Sequence, residues 1–278
     1  MSPAVELAAA WAAIVAYAAA SVGFTIGAVF GKRRAEVVAV ALAMTGLVAH
    51  VAAVVLRWVR VGHGPYLGFY EVSSLLALIA VAGFLAIVAR HRDLRIAGVA
   101  IMPIAFLIMG GTLLVNSEAR TVTGSLASFW LVIHVIFANL AFGAYAVSFV
   151  LAVAFLMKDS GPGRRWQTLL DRFPEQDVLD SVTFRFVGAG FVFQGIMIAS
   201  GSIWANEAWG RYWGWDPVET WSLIAWAIYA IYLHLTLTMG WRGRRAAWLA
   251  IAALAVSLFS LLGVPIVYNS IHGAYLAR

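Results

Sequence analysis

The sequence predicts an all-α polytopic membrane protein of about eight transmembrane helices with both termini extracytoplasmic. Three observations carry this. The 278 residues are 63% hydrophobic and only 12% charged, with a mean hydropathy of +0.89, which no soluble globular domain matches. Apolar runs long enough to cross a bilayer recur along the whole chain. Basic residues gather in every second loop between those runs.

The first span runs from Glu6 to Phe30 and carries Gly23, Gly27 and Gly31 at four-residue spacing. Small residues so placed let two helices approach closely, either within this chain or against another subunit. The start, Met-Ser-Pro-Ala-Val-Glu, has no Lys or Arg before the apolar run and does not resemble the basic start of a cleaved signal peptide. The remaining spans run from Val37 to Val59, Glu71 to Ala89, Ile96 to Val115, Phe129 to Met157, Val182 to Ser202, Val218 to Met239 and Ala246 to Tyr268. Placing Lys32, Arg33 and Arg34 inside fixes the orientation of all the others. Arg90, Arg92, Arg95, Lys158, Arg164, Arg165, Arg172, Arg185, Arg242, Arg244 and Arg245 then fall inside. Only Arg57, Arg60, Arg120, Arg211 and Arg278 fall outside. The longest polar loop, Lys158 to Ser181, is cytoplasmic, and Trp166, Leu169, Leu170 and Phe173 there share a helical face suited to a short interfacial helix. No repeat or low-complexity linker divides the chain, so residues 1–278 read as a single transmembrane domain.

Between the sixth and seventh spans lies an external Trp-rich stretch, residues 203–220. Trp204, Trp209, Trp213, Trp215, Trp221 and Trp226, half of the chain's 12 tryptophans, lie in or just after it. Clustered indoles at a membrane surface suit a large, flat, apolar ligand. Within it, Asp216-Pro217-Val218-Glu219 is a helix-start pattern: an N-cap acid, proline at the first helical position and an acid three residues later. Asp216 is thus either structural or a group acting on the ligand. Glu71, after Phe69 and Tyr70 at the start of the third span, is open to the same two readings.

There are no cysteines, which excludes disulfides, thiolate metal sites and thiol catalysis. The net charge of +6 reflects cytoplasmic loops and gives no reason to expect nucleic acid. The six histidines are the best ligands for a transition metal or haem iron. His91 sits among Arg90, Arg92 and Asp93 and reads as a solvated loop residue. His134 lies roughly 8 Å below the outer surface, five residues into its span. His272 follows the last span on the same side. Two histidines and an indole surface on one face are what a haem with two axial imidazoles needs. His63, in a glycine-flanked turn, is the rival ligand. His50 has apolar neighbours and reads as a packing residue held by one hydrogen bond. His234 lies about 27 Å down its helix from Asp216, near the cytoplasmic end.

The run Trp-Gly-Arg-Tyr-Trp-Gly-Trp-Asp-Pro-Val-Glu-Thr-Trp, continuing to Tyr232-Leu233-His234, resembles the WWD signature of haem-handling proteins, closest to the System II cytochrome c biogenesis family CcsA (ResC). Gly68-Phe69-Tyr70-Glu71, Trp130-Leu-Val-Ile-His134, Leu179-Asp-Ser-Val-Thr-Phe-Arg185 and Asn269-Ser-Ile-His272-Gly-Ala-Tyr275 are similar to that family too. Val218 departs from it, standing where lysine is frequent.

The resemblance implies transport of haem b to the extracytoplasmic face. There, haem is attached to the Cys-x-x-Cys-His thiols of apocytochrome c, a holocytochrome c synthase (haem lyase) activity. It implies His134 and His272 as external axial ligands, and His234 as an intramembrane ligand whose mate comes from a separate CcsB (ResB) partner subunit. The implied catalytic set is His134, His272, Trp213, Trp215 and Asp216, with Trp204, Trp209 and Trp221 joining the haem-binding surface. One haem cannot reach both depths, so an inner and an outer station are expected, with Trp221 and Trp226 between them. Arg57, Arg60, Arg120 and Arg211 are candidates to pair with the propionates. Lacking Cys, the chain needs a separate thiol reductant. The expected setting is the bacterial cytoplasmic (inner) membrane or a thylakoid-type membrane, with membrane lipid around the spans. The competing function is a CcmC-like exporter or chaperone that hands haem to a ligase elsewhere. A b-type electron carrier is disfavoured, because His50 and His234 lie at different depths.

Overall fold

The computed structural model describes residues 2–113, 124–161, 167 and 170–270. His272, Arg120, Arg278, Arg164, Arg165, Trp166 and Leu169 lie outside the described residues. Eight helices among the described residues are long and apolar enough to cross a membrane. They contain α1 (Pro3–Phe30), α2 (Arg33–Val61), α3 (Phe69–Arg90), α4 (Gly98–Thr112, in a span that starts at Leu94), α5 (Phe129–Asp159), α6 (Gln176–Trp209), α7 (Pro217–Thr238) and α8 (Arg244–Leu258, in a span that runs to Gly263). A 3₁₀ turn, Arg92–Ala97, leads into α4, and α8 continues through a π-helical turn, Phe259–Gly263, into the short α9, Val264–Val267. The all-α prediction holds, as expected where every backbone polar group must be satisfied within its own span.

The chain packs as two compact units: residues 1–121 with 168–174, and residues 122–167 with 175–278. In the first, α1 pairs with α2 and α4, and α3 packs on α4. The glycine stripe of α1 is used for this internal packing. A Cβ at Gly23 would lie 2.9 Å from Ala39 Cβ, and one at Gly27 would strike the Glu36 side chain. Glu36 is in turn held by Arg172, whose guanidinium donates to its carboxylate at 2.8 Å and to the Gly27 carbonyl. Close approach of backbones replaces the hydrophobic effect as the force between helices in lipid.

The N-terminal ends of α1 and α3 and the C-terminal end of α2 are tied by charge. Arg57 donates to Glu71 at 2.9 Å and to Glu6 at 3.3 Å. Arg60 donates to Glu6 at 2.7 Å, and the Arg57 guanidinium lies 4.5 Å over the Tyr70 ring. Glu71 also accepts the Leu67 N–H at 3.2 Å, so it both closes the start of α3 and neutralises a buried arginine. His63 belongs to this cluster, with its Nδ1–H on the Gly64 carbonyl at 2.9 Å and 3.7 Å from Glu71. His50 is fully buried and has two partners rather than one, Tyr17 Oη at 3.2 Å and Ser74 Oγ at 2.9 Å.

In the second unit α5 packs along α6 and against α8, while α7 fits between α6 and α8. α6 begins at Gln176, six residues before the apolar run expected at Val182. Its first turns are polar and invisible to hydropathy, but they have a partner. Asp180 accepts the Gly243 N–H at 3.0 Å, tying the start of α6 to the residue that precedes α8. The stretch 203–220 is likewise mostly helix. Residues up to Trp209 complete α6, Gly210 stops it at φ +73°, and Pro217 opens α7. Only 210–216 lie between helices.

Glu71→Ala leaves Arg57 buried without its nearest carboxylate. It is expected to destabilise the protein by about 3–5 kcal/mol, read as a lower unfolding midpoint in detergent, with Glu71→Gln milder.

Candidate functional site

The short loop 210–216 is built by its own backbone and two acids. Asp216 caps α7, its Oδ2 accepting the Val218 N–H at 3.1 Å. Glu219 reaches back and accepts from Gly214 N at 2.8 Å and Asp216 N at 3.1 Å. This is a complete capping box. Asp216 is buried and does not line the cavity described below, so the geometry supports the structural of its two sequence readings. With the turn so pinned, Trp215 is held at φ +57°, the one non-glycine residue at positive φ among the described residues. A tryptophan in that region is strained, and such strain persists only where surroundings over-determine it. Trp215 is 69% exposed and meets Trp213 edge to face at 5.8 Å.

Beneath Trp213 and Tyr212 a cavity of about 150 Å³ opens between α5, α6, α7 and α8. His134, Met197, Gly201 and Glu219 line its walls. Deeper lie Tyr145, Gln194, Ser222, Ser257 and Ser260. Pockets enclosing a whole small molecule measure roughly 300–1,000 Å³, so this cleft has room for no more than one edge of a larger flat ligand.

His134 is held against the wall of the cleft by the backbone of α6. Its Nδ1–H donates to the Met197 carbonyl at 2.8 Å. A carbonyl only accepts, so Nδ1 carries a proton, and in the neutral imidazole the lone pair is then on Nε2, as in many metal-ligating histidines. Gly201 makes the space for it, since a Cβ there would lie 2.5 Å from Nδ1. The N-terminus of α5 is pinned by Ser128, which caps Trp130 N at 3.1 Å and donates to Glu207 at 2.5 Å.

Below, Tyr145 stacks on Tyr229 with centroids 3.6 Å apart and donates to Gln194 at 2.7 Å. Gln194 donates to the Ser222 carbonyl at 3.1 Å. Its polar atoms are thus engaged and the cleft is mainly apolar. Gly190 leaves room for the Tyr145 ring, which a Cβ would strike.

Of the residues singled out in the sequence, His134 and Trp213 line the cleft. Trp215 stands beside Trp213. Trp204 is buried and meets Trp209 edge to face at 5.0 Å, stiffening the end of α6. Trp221 packs on Phe259 of the π-helical turn at 4.8 Å. Trp226 donates its Nε1–H to the Phe191 carbonyl at 3.0 Å and stacks on that ring at 4.7 Å. These last two fasten α7 to its neighbours.

His234 is exposed on α7, four residues from Thr238, whose hydroxyl donates to the His234 carbonyl at 2.6 Å. Arg57 and Arg60 are ion-paired, whereas Arg211 is exposed and packs directly on Gly214 at the rim of the loop. Sequence reasoning missed Met197, Gly201, Gln194 and Ser260, none of which carries a local pattern.

The fold and this cleft define a polytopic helical membrane protein with an aromatic site at one end of its second unit. A sequence profile described as Cytochrome C assembly protein matches residues 66–272. The CcsA cytochrome c biogenesis protein of Synechococcus sp. (strain CC9311) is 34% identical over 262 residues, covering 83% of this chain and 86% of that protein. The CcsA of Gloeobacter violaceus is 31% identical over 285 residues, covering 83% and 82%. Among solved structures, the cytochrome c haem lyase CcmF superposes with a TM-score of 0.67 at 19% identity. It covers all of this chain, which spans about half of CcmF (49%). The chain belongs to the cytochrome c assembly family, as a CcsA-type member, and it functions in cytochrome c biogenesis.

Gly201→Val is expected to drive His134 off the Met197 carbonyl without unfolding the helices. The imidazole should then lose its fixed tautomer, read as a changed His134 ring signal in ¹⁵N NMR of selectively labelled protein.

Proposed function

We propose that this chain holds haem b at its cleft and joins it to apocytochrome c, working on the extracytoplasmic face with a CcsB/ResB-type subunit. The observation that carries this is the His134 imidazole, held through Nδ1 by the Met197 carbonyl on the wall of an aromatic-rimmed cleft. In this reading His134 and His272 supply the two axial imidazoles, and Trp213 and Trp215 cover the porphyrin face and exclude water.

The apolar cleft takes one edge of the macrocycle. Glu219 on its wall repels the propionates, and Arg211 at the rim is the guanidinium placed to pair with them. Holding the porphyrin in one orientation brings a substrate thiol beside each vinyl group. Each thiol S–H then adds across the vinyl C=C, forming one C–S bond and one C–H bond. The thiols must arrive reduced, and since this chain has no cysteine a separate reductant supplies them.

His234, exposed on α7 alongside exposed Ile231 and Leu237, is read as an inner ligand completed by an imidazole of the partner subunit. An ionisable side chain on a lipid-depth face calls for such a partner. The membrane is the bacterial cytoplasmic membrane or a thylakoid-type membrane.

The test co-expresses the chain with a CcsB/ResB-type subunit and a Cys-x-x-Cys-His reporter. His134→Ala and His272→Ala should each cut covalent haem at least about tenfold while total haem in the complex remains, and added imidazole should restore low-spin ligation. His234→Ala should lower total haem instead. Arg211→Ala should lower reporter yield severalfold, with Arg211→Lys intermediate. Undiminished covalent product in both outer histidine variants would remove them from the site. Haem release without attachment by the full set would favour a carrier that delivers haem to a ligase elsewhere.

A further inference from the structure

The start of α6 and the end of α7 lie side by side. A Cβ at Gly188 would lie 4.0 Å from Leu233 Cδ2, Trp226 reaches the Phe191 carbonyl at 3.0 Å, and the Gly243 N–H, just past α7, donates to Asp180. The two helices therefore run antiparallel, with Gly188 level with Leu233. Arg185 comes three residues before Gly188 and His234 one residue after Leu233, steps that go the same way along the pair. At 1.5 Å per residue the two side chains leave their helices at depths about 3 Å apart. They also leave on one side. At 3.6 residues per turn Arg185 is turned about 60° from the Gly188 contact and His234 about 100° from the Leu233 contact, in the same rotational sense along each chain, which in an antiparallel pair is the same flank. Both residues are exposed there. The neighbouring Arg242 is taken by Asp180 at 3.5 Å and by the Phe184 ring at 5.2 Å. Arg185 has no hydrogen bond, ion pair or ring contact among the described residues. Next to the pair the flank turns apolar, with Val192 55% and Ile231 52% exposed.

We propose that Arg185 is a binding residue of the His234 site, its guanidinium pairing with a haem propionate while His234 ligates the iron. The proposal rests on the reading of His234 as a haem ligand and adds the group that orients the porphyrin there. An axial imidazole leaves the ring free to turn about the iron–nitrogen bond, and a second contact at the rim fixes that angle. Neighbouring helices pack roughly 8–10 Å apart, so a guanidinium on α6 falls near the rim of a flat ring whose centre is held from α7. Long helical side chains lean toward the N-terminus of their helix. The guanidinium is thus drawn toward the start of α6, the propionates with it, and the apolar edge of the ring lies along Val192 and Ile231. The 22 residues of α7 span about 33 Å, close to the hydrocarbon thickness of about 30 Å. His234 and Arg185 therefore stand just inside the apolar layer, where an exposed guanidinium calls for an anion, and its fork of donors matches a carboxylate.

The test uses the complex with a CcsB/ResB-type subunit in a His134→Ala background, so that bound haem reports the His234 site. After haem depletion it is titrated with haem or with haem dimethyl ester, whose carboxylates are capped. This parent should bind haem about tenfold more tightly than the ester, the size expected for a hydrogen bond between charged groups. Arg185→Ala should bind both at the ester's affinity, with an unchanged low-spin spectrum and unfolding midpoint, and Arg185→Lys should keep part of the preference. A preference for the free acid as large in Arg185→Ala as in the parent would overturn the proposal. So would equal binding of acid and ester by the parent, with anionic phospholipid lost from purified Arg185→Ala, which would assign the guanidinium to a lipid headgroup. The reading beneath fails separately, if His234→Ala binds haem with the parent's affinity and spectrum.

Discussion

The carboxylate of Glu219 organises one end of the second unit, where α6 turns into α7. By accepting from Gly214 N and Asp216 N it closes the turn between α6 and α7, and it leaves Asp216 free of that task to cap the helix. The consequences run outward. Trp215 is forced to positive φ and left exposed, Trp213 and Tyr212 are set over the cleft, and Arg211 is laid on Gly214. A backbone bent this sharply needs its N–H groups satisfied, and two acids on one helical turn take those of Gly214, Asp216 and Val218.

Elsewhere the packing follows from the solvent. Lipid offers no hydrophobic drive between helices, so contact depends on small residues and on internal polar partners. Gly23 and Gly27 let α1 touch α2, and Gly201 and Gly190 admit His134 and the Tyr145 ring. Where charge is buried it is paired: Glu6, Arg57 and Glu71 have almost no exposure, and Arg57 bridges the two carboxylates. Such a cluster adds specificity to the joining of three helix ends more than it adds net stability.

The indoles divide by role in a way their spacing does not reveal. Trp204 and Trp226 are fasteners, one within α6 and one across to Phe191. Trp213 lines the cleft and Trp215 stands at its rim. A cluster of tryptophans thus signals an aromatic site without telling which rings face the ligand.

Hydropathy determined the spans, because a bilayer imposes length and polarity on each helix whatever its neighbours are. The pattern Asp216-Pro217-Val218-Glu219 determined the start of α7, because capping is a contact between residues a few positions apart. The ends of α6 escaped that reading, since Gln176–Ser181 are polar and Ala205–Trp209 follow an apolar run with no break before Gly210. What only the tertiary structure decided is which distant groups meet. Met197 and Gly201 fix the tautomer and the berth of His134, Glu71 neutralises Arg57, and Ser270 finds Asp216. Each of these depends on the register of one helix against another. Side-chain volume sets that register at closest approach, and no local pattern in the chain records it.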